Sequence, residues 1–507
     1  MEIRADGRTA ELAERTIRGA GAMLLRQAIT VPLRLLVNIL LARQLVPTDF
    51  GTYAIAIFFV STATLFTDFG LTAALIQKRD RPTPVELRTA FTVRFLLAVG
   101  LVLLLLGASA PLATLFRLSE ASRPVIPWLA LVLPIGALGS ISMMLLERAL
   151  AYPRLAQIEI AALLLFHVTA LALAYGGFGV WSFVGAAVAS ESVRAVLLWA
   201  SARWPLGFAV DGSALRAALR FGAPFQAGTW TSLLRDHMAS LLAGPLFGPR
   251  AVGFLNWAHG VAYHVSQAFT EALGRVSFPS LSRAQEDREA FGRLLEKLLR
   301  ALLLLVTPLL AVTAGVIPWI VAFLYTEKWA PAIPAFYGFA VRMLGGTLTT
   351  PLVAALNAWG RPRQALKILV AWTVSDWVMA LLLVGRYGFV GVAMAYGVSV
   401  WVPVVWLIRV LASIVSVNWT YALVRPMVAG AMTFVLLRAL AERIVSDLAS
   451  LAAGVGLGLL LYVACLLLLE RKALLLELRA SVPLILRAIR GTSSAEDLHD
   501  RVGAPGR

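Results

Sequence analysis

Ionisable and polar residues recur at helical spacing inside several strongly apolar segments of this chain. In one segment Arg26, Arg34 and Asn38 are separated by multiples of four residues and share a face. In another, Glu271 and Arg275 lie one helical turn apart. A charged group inside a bilayer is costly unless it is paired or hydrated, so such positions are functional candidates by default. The pattern predicts a hydrated cavity within a membrane protein.

Eight side chains form the candidate site. A guanidinium donates two parallel hydrogen bonds to phosphate or carboxylate oxygens, so the arginines suit an anionic substrate. The acids would couple transport to an ion or would pair with the arginines. The predicted substrate-binding residues are Arg26, Arg34, Asn38, Arg275 and Arg342, and the predicted ion-coupling or pairing residues are Asp68, Asp236 and Glu271.

Structural interpretations stay open for part of this set. Arg26 and Arg275 could extend their charged ends to the nearer membrane interface. Asp68 could pair locally, and Glu271 could form an ion pair with Arg275 that binds no ligand. Arg34 and Arg342 lie deeper in their segments, which favours a role in the cavity.

Composition identifies the segments that carry these residues as membrane spans. The 507 residues are 59% hydrophobic and 14% charged, with a mean hydropathy of +0.80. A soluble protein of this length could not cover its core with so little charge. Runs such as 95–110 and 448–469 are long enough to fill the hydrocarbon layer. No alternating barrel pattern is present, so the predicted fold is an all-α polytopic membrane protein.

Apolar windows predict about 14 transmembrane helices. Of the 45 lysine and arginine residues, 30 fall in segments on one side of this layout, 8 on the other and 7 inside the spans. Cytoplasmic segments collect basic residues, so both termini are predicted to be cytoplasmic. The predicted spans are 21–43, 52–76, 89–111, 125–146, 155–175, 179–201, 217–243, 253–279, 299–324, 333–357, 365–385, 389–411, 422–441 and 447–469.

An internal repeat predicts two pseudo-symmetric lobes. The segment LLARQLVPTDFG returns about two hundred residues later as LLAGPLFGPRAVG. Copies of six spans share one orientation, which places a substrate site between them near the membrane midplane. The paired positions are Leu41, Ala42, Leu45 and Gly51 with Leu242, Ala243, Leu246 and Gly253. The predicted organisation is a lead-in at 1–20, an N-lobe at 21–201, a C-lobe at 202–411, two extra spans at 412–469 and a basic cytoplasmic tail at 470–507. Residues 282–300 are predicted to form an amphipathic surface helix that joins the lobes.

Motifs for catalysis are absent from the sequence. There is no GK[ST] phosphate loop and no HExxH, and no outer loop is long enough to house a catalytic site. The single cysteine, Cys465, excludes an intrachain disulfide and CxxC sites. We therefore expect a transporter that hydrolyses no nucleotide, needs no cofactor or metal, and uses an ion gradient or the membrane potential. The basic excess reflects orientation rather than nucleic-acid binding.

Several of these segments resemble a known family. LLARQLVPTDFG followed by TDFGLTAALIQKRD resembles the opening of the polysaccharide transporter family, the Wzx-type flippases of the MOP superfamily. FGAPFQAG, FPSLSR and NAWGRPR resemble marks of the second half of that family.

The resemblance implies an inner-membrane flippase that moves undecaprenyl-pyrophosphate-linked oligosaccharides to the periplasmic leaflet by alternating access. It implies that Arg26, Arg34 and Arg275 hold the pyrophosphate or acidic sugars. Its partners would be the lipid-linked substrate and the bilayer, with polysaccharide polymerase and chain-length proteins as further candidates. A MATE-like drug exporter and a lipid II flippase are the alternatives, and an exporter of cations would need an acidic cavity.

Overall fold

The computed structural model describes residues 32–68, 80–212 and 235–470, together with six single positions between these ranges. All regular structure in them is helical, as predicted, because a span without water must satisfy its backbone hydrogen bonds internally. The helices are α1 (32–44), α2 (Pro47–Asp68), α3 (Pro84–Gly107), α4 (Ser109–Leu115), α5 (Val125–Ala130), α6 (Val132–Arg148), α7 (Tyr152–Tyr175), α8 (Trp181–Ser201), α9 (Gly244–Arg283), α10 (Arg288–Ile320), α11 (Ile333–Ala358), α12 (Pro362–Tyr387), α13 (Val390–Ser399), α14 (Trp401–Ala412), α15 (Arg425–Ile444) and α16 (Leu448–Glu470).

Eleven helical stretches within the described ranges are long and apolar enough to cross a membrane. They coincide with the second to sixth and the ninth to fourteenth predicted spans. The first and seventh predicted spans lie partly outside the described residues. The eighth falls within α9, which carries several polar residues and is not among the eleven. The polytopic all-helical fold is thus confirmed, whereas the count of fourteen stays a prediction.

The α9 helix packs against both halves of the chain. Its most extensive contacts are with α11 of the second half and α2 of the first. Aromatic side chains fill the junction: Phe50 of α2 meets the ring of Trp329 edge-on at 5.1 Å, and Trp257 of α9 stacks on the same ring at 5.6 Å. Trp329 is fully buried. One hydrophobic core therefore spans both halves at this end of the molecule.

Two glycines let α2 and α9 cross with their backbones in contact. A Cβ atom added to Gly51 would lie 1.6 Å from the carbonyl oxygen of Pro249, and one added to Gly253 would lie 1.9 Å from that of Pro47. The contact is reciprocal, since Gly51 lies four residues after Pro47 and Gly253 lies four residues after Pro249. No side chain fits between the two helices here.

Hydrogen bonds seal the same junction. The indole Nε1 of Trp329 donates to the carbonyl oxygen of Ala42 at 2.9 Å, and Lys328 Nζ donates to that of Arg43 at 2.7 Å. In return, Arg43 Nη1 donates to the carbonyl oxygen of Phe323 at 3.2 Å. We call this junction, formed by residues 42–51, 249–257 and 323–329, the closure.

The predicted surface helix at 282–300 is wrong as a separate element. Residues from Arg288 onward are the first turns of α10, which continues without a break to Ile320. The helix begins at Asp287, whose Oδ1 accepts hydrogen bonds from the backbone N–H groups of Ala290 and Glu289. These donors stabilise the carboxylate and lower the pKa of Asp287 below its ordinary value. The apolar face was predicted correctly, since Phe291 and Leu295 are buried.

A buried ion pair fastens α16 to α10. Arg300 and Glu470 have side chains that are 3% and 0% exposed, and Arg300 Nη1 donates to Glu470 Oε1 at 2.9 Å. The guanidinium also donates to the carbonyl oxygen of Tyr421 at 2.9 Å and lies over that tyrosine's ring. The two extra helices of the chain are thereby linked to the second half.

We expect Glu470→Gln to destabilise the protein by about 3–5 kcal/mol, because it removes the carboxylate that pairs with a buried guanidinium. Unfolding of the purified protein in detergent measures this loss. The matched control is Glu289→Gln, which breaks an exposed pair with Arg293 on the same helix and should cost less than about 1 kcal/mol. Equal effects of the two variants would contradict the structural role of the buried pair.

Candidate functional site: a polar cavity between the two halves

A cavity of about 600 Å³ lies beside the closure. Its wall from the first half comes from α2, through Tyr53, Ala54 and Ile57. The second half supplies the remaining described lining from 236–240, α9, α11, α12 and α13. The α9 helix contributes residues from Val252 to Glu271, so the cavity extends along several turns of that helix. Its position between the halves is the position predicted for a substrate site.

Arg342 is the central charge of this cavity. Its side chain, on α11, is 9% exposed and lies between two carboxylates. The Nη1 atom is 3.6 Å from Asp376 Oδ2, and the Nη2 atom is 3.9 Å from Asp236 Oδ1. The guanidinium also lies over the ring of Tyr396, 3.8 Å from its centroid. Arg342 is therefore a largely buried guanidinium in the cavity wall, and its position is fixed by charge and by an aromatic face.

Asp376 is the most deeply buried acid of the site. Its side chain is fully buried, and the hydroxyl of Ser399 donates to its Oδ1. Its Oδ2 and Arg342 Nη1 make no hydrogen bond to any described residue. A buried carboxylate needs a nearby cation or a proton, so Arg342 is its charge partner. The sequence analysis missed Asp376, although an aspartate inside the apolar segment 365–385 was a usable signal.

Arg235 and Asp236 form a second part of the same network. Arg235 Nε lies 3.3 Å from Asp236 Oδ1, and its guanidinium covers the ring of Trp372 at 4.5 Å. The hydroxyl of Tyr396 donates to the carbonyl oxygen of Arg235 at 2.7 Å. The aromatic residues Trp372 and Tyr396 thus hold both arginines in place, which the sequence analysis did not foresee.

Several polar side chains of α9 face the cavity farther from the closure. The side-chain amide of Gln267 donates to Glu271, and the Thr270 hydroxyl lies 3.3 Å from that of Thr347 on α11. All four residues line the cavity. The structure therefore brings Glu271 together with Asp236 and Arg342, three of the eight predicted residues.

The other five predicted residues are not part of the described lining. Asn38 Oδ1 accepts a hydrogen bond from Tyr325 at 3.5 Å, close to the closure. Arg34 has an exposed side chain that interacts electrostatically with Tyr263 and His264 of α9. Arg26 and the side chains of Asp68 and Arg275 lie outside the described residues. Roles for these five stay predictions.

The described lining carries more acids than arginines, whereas arginines outnumber acids in the predicted site. It contains one arginine, Arg342, and two acids, Asp236 and Glu271, together with the imidazoles of His237 and His259. Among the described residues, no group of three or more histidine, cysteine or acidic side chains could hold a metal ion. The arrangement can bind a polar molecule that offers both acceptors to Arg342 and donors to the carboxylates.

Comparison with known proteins assigns this architecture to a family. The sequence model of one family, described as polysaccharide biosynthesis protein, matches residues 40–334. The matched region contains α2, α9 and the closure.

Curated relatives cover most of the chain. The succinoglycan biosynthesis transport protein ExoT of Rhizobium meliloti (strain 1021) is 25% identical over 484 residues, covering 91% of this chain and 94% of that protein. The teichuronic acid biosynthesis protein TuaB of Bacillus subtilis (strain 168) is 25% identical, with 71% and 70% covered. The lipopolysaccharide biosynthesis protein WzxC of Escherichia coli (strain K12) is 24% identical, with 76% and 78% covered.

Solved structures share the fold at low sequence identity. The lipid II flippase MurJ in an inward closed conformation superposes with a TM-score of 0.70 at 13% identity, covering 90% of this chain and 99% of that one. An inward-facing multidrug resistance MATE transporter of the MOP superfamily gives a TM-score of 0.52 at 16% identity, covering 78% and 98%. With the sequence matches, this fold makes the chain a multi-pass membrane protein of the polysaccharide biosynthesis family, in the Wzx-type group of polysaccharide transporters.

Proposed function

We propose that this protein is a flippase for oligosaccharide repeat units linked to undecaprenyl pyrophosphate, acting in the synthesis of a surface polysaccharide. The observation that carries the proposal is the cavity between the halves, which is closed at one end, is lined by polar as well as apolar side chains and holds Arg342 in its wall. A flippase needs such a cavity, because the sugar and the pyrophosphate must cross the hydrocarbon layer without leaving a polar environment.

The proposed topology places both termini in the cytoplasm of a bacterial cell, with the protein in its inner membrane. The closure then faces the periplasm, and the cavity would receive substrate from the cytoplasmic side. Residues 21–201 and 202–411 would act as the two lobes, with 412–469 as an addition to the second. Polysaccharide polymerase and chain-length proteins are the proposed partners on the far side of the membrane.

We propose that Arg342 binds the pyrophosphate in place of the carboxylates that it faces when no substrate is bound. In the structure its two terminal nitrogens lie 3.6 and 3.9 Å from carboxylate oxygens, longer than direct hydrogen bonds. A phosphate oxygen at hydrogen-bonding distance would therefore compete well for the same donors. The carboxylates would balance the arginine when substrate is absent, and transport would use an ion gradient or the membrane potential without nucleotide hydrolysis.

Deletion of the gene tests the proposal. We expect loss of one surface polysaccharide and accumulation of its complete lipid-linked repeat unit on the cytoplasmic side, which mass spectrometry and leaflet-selective labelling would detect. Complementation with the wild-type gene is the control. Normal surface polysaccharide in the deletion strain would refute the proposal.

An exporter of small cations is a second candidate, favoured by the two carboxylates in the described lining. The same deletion strain separates the two functions. If the protein is an exporter, the deletion strain should keep its polysaccharide and become more sensitive to cationic drugs. If it is a flippase, the strain should lose its polysaccharide and keep its drug sensitivity.

A further inference from the structure

The segment that follows α8 has no regular structure and packs along the side of α3. The predicted topology assigns residues 203–211 to an inner loop. In the structure they run beside the first turns of α3, which is the third predicted span. Trp204 is buried against Phe91, with ring centroids 5.3 Å apart. The ring of Phe208 reaches Phe91 at 5.7 Å and Phe95 at 6.1 Å.

These contacts set the segment against the first turns of α3, a helix long enough to cross a membrane. The 24 residues of α3 span about 36 Å, somewhat more than the roughly 30 Å of a bilayer core. Phe95 lies about 16 Å along the helix from Pro84, so its level is well below the membrane surface. The chain contacts α3 near Arg88, reaches the level of Thr92 at Ala209 with the Phe208 ring extending toward Phe95, and returns to the level of Thr89 at Asp211.

Side chains of α3 satisfy backbone groups of the segment. The N–H of Ala209 donates to Thr92 Oγ1 at 3.0 Å, and that of Asp211 donates to Thr89 Oγ1 at 3.1 Å. Arg88 Nε donates to the carbonyl oxygen of Pro205 at 3.0 Å. Irregular backbone at membrane depth requires such partners, because lipid offers none. Both threonine side chains are buried beneath the segment.

The opposite face of the segment is apolar and uncovered. Leu206 is 48% exposed, and Phe208 and Val210 are each 67% exposed. The neighbouring surface of α3 is apolar too, with Leu96 57% exposed and Leu103 62% exposed. Exposure of this apolar face to water would be unfavourable, whereas contact with lipid acyl chains would be favourable.

We propose that residues 203–211 form a re-entrant segment that dips into the membrane leaflet beside the start of α3, with Leu206, Phe208 and Val210 in contact with lipid acyl chains. In the proposed topology this is the cytoplasmic leaflet. The segment begins the second lobe, and its hydrogen bonds attach it to α3 of the first lobe as far as Asp211. The inference holds whichever molecule is transported.

Spin labels on single cysteines test the placement in proteoliposomes. Cys465 is buried, so a Cys465→Ser background leaves one labelled site in each variant. Labels at Leu206→Cys, Phe208→Cys and Val210→Cys should collide several-fold more with oxygen, relative to a soluble nickel chelate, than labels at Arg203→Cys and Gly212→Cys. The lipid reference is Leu103→Cys on α3. Ratios at 206, 208 and 210 equal to those at 203 and 212 would overturn the proposal.

A second comparison tests the anchoring hydroxyls. Thr89→Val with Thr92→Val removes both acceptors, so the label at 208 should become accessible to the nickel chelate. Thr89→Ser with Thr92→Ser keeps both hydroxyls and should preserve the lipid signal. An unchanged label at 208 in the valine pair would show that the hydroxyls do not hold the segment at depth, which contradicts this part of the proposal.

Discussion

Polysaccharide export is expected to fall to the level of a gene deletion when Gly253 is replaced by alanine. The new methyl group would lie 1.9 Å from the carbonyl oxygen of Pro47, far inside van der Waals contact. The clash is with backbone, so no side chain can rotate away, and α2 and α9 must separate. The closure would be lost, and a transporter that alternates between two closed ends could not complete its cycle. Gly51→Ala should act in the same way, because its methyl group would lie 1.6 Å from the Pro249 oxygen.

The control for this prediction lies on the same helix. A Cβ at Gly260 would meet nothing within 4 Å, so Gly260→Ala should export normally. Protein level in the membrane should be similar for all three variants. Labelling with a membrane-impermeant maleimide at Ala42→Cys should rise from the periplasmic side when Gly253→Ala is added. Normal export at a normal protein level in Gly253→Ala would show that the crossing is dispensable.

Replacing Arg342 by alanine is expected to lower both stability and export. The substitution leaves the buried Asp376 carboxylate without its charge partner, at a cost of about 3–5 kcal/mol. Adding Asp376→Asn removes that buried charge and should restore the protein level in the membrane. Export should stay absent in this double variant, because a substrate-binding guanidinium is still missing.

The double variant separates the two possible roles of Arg342. Recovery of both protein level and export would mean that the arginine serves only to balance Asp376, and it would remove Arg342 from the proposed substrate site. The matched control is Arg194→Ala on α8, which breaks an ion pair with Glu191 away from the cavity and should leave export intact. Quantitative blotting and polymer staining of the same cultures measure both quantities.

Three charged residues of the site could be predicted because ionisable groups are rare inside membrane spans. Asp236, Glu271 and Arg342 are ionisable groups in apolar segments, and the cavity brings the three together. Trp372 and Tyr396 could not be identified this way, since aromatic residues are ordinary in membrane spans. Their role depends on which helices are neighbours. Asp376 carried the same signal as Arg342 but lies on a helix without a polar stripe.

The fold, like the site, could be predicted from the sequence only in part. Hydropathy predicted the class of fold and most spans, because the bilayer allows few solutions. It failed at 282–300, where a separate surface helix was predicted, although residues from Arg288 onward are the first turns of α10. At 203–211 the predicted connection has no regular structure, as a loop would, but hydropathy could not predict that it packs against α3 through threonine hydroxyls. In both places the outcome depends on packing partners that are distant in sequence.

The reciprocal crossing of α2 and α9 bears on how such a chain could arise. Residue Gly51 faces Pro249 while Gly253 faces Pro47, so the same Pro-x-x-x-Gly segment is used twice, once from each side. This is the pattern of an isologous interface, in which two identical subunits are related by a two-fold axis. A six-span ancestor with one copy of the segment could have closed against a second copy of itself as a homodimer. Gene fusion would then have freed the two surfaces to diverge, and the charged residues of the described lining all lie in the second half.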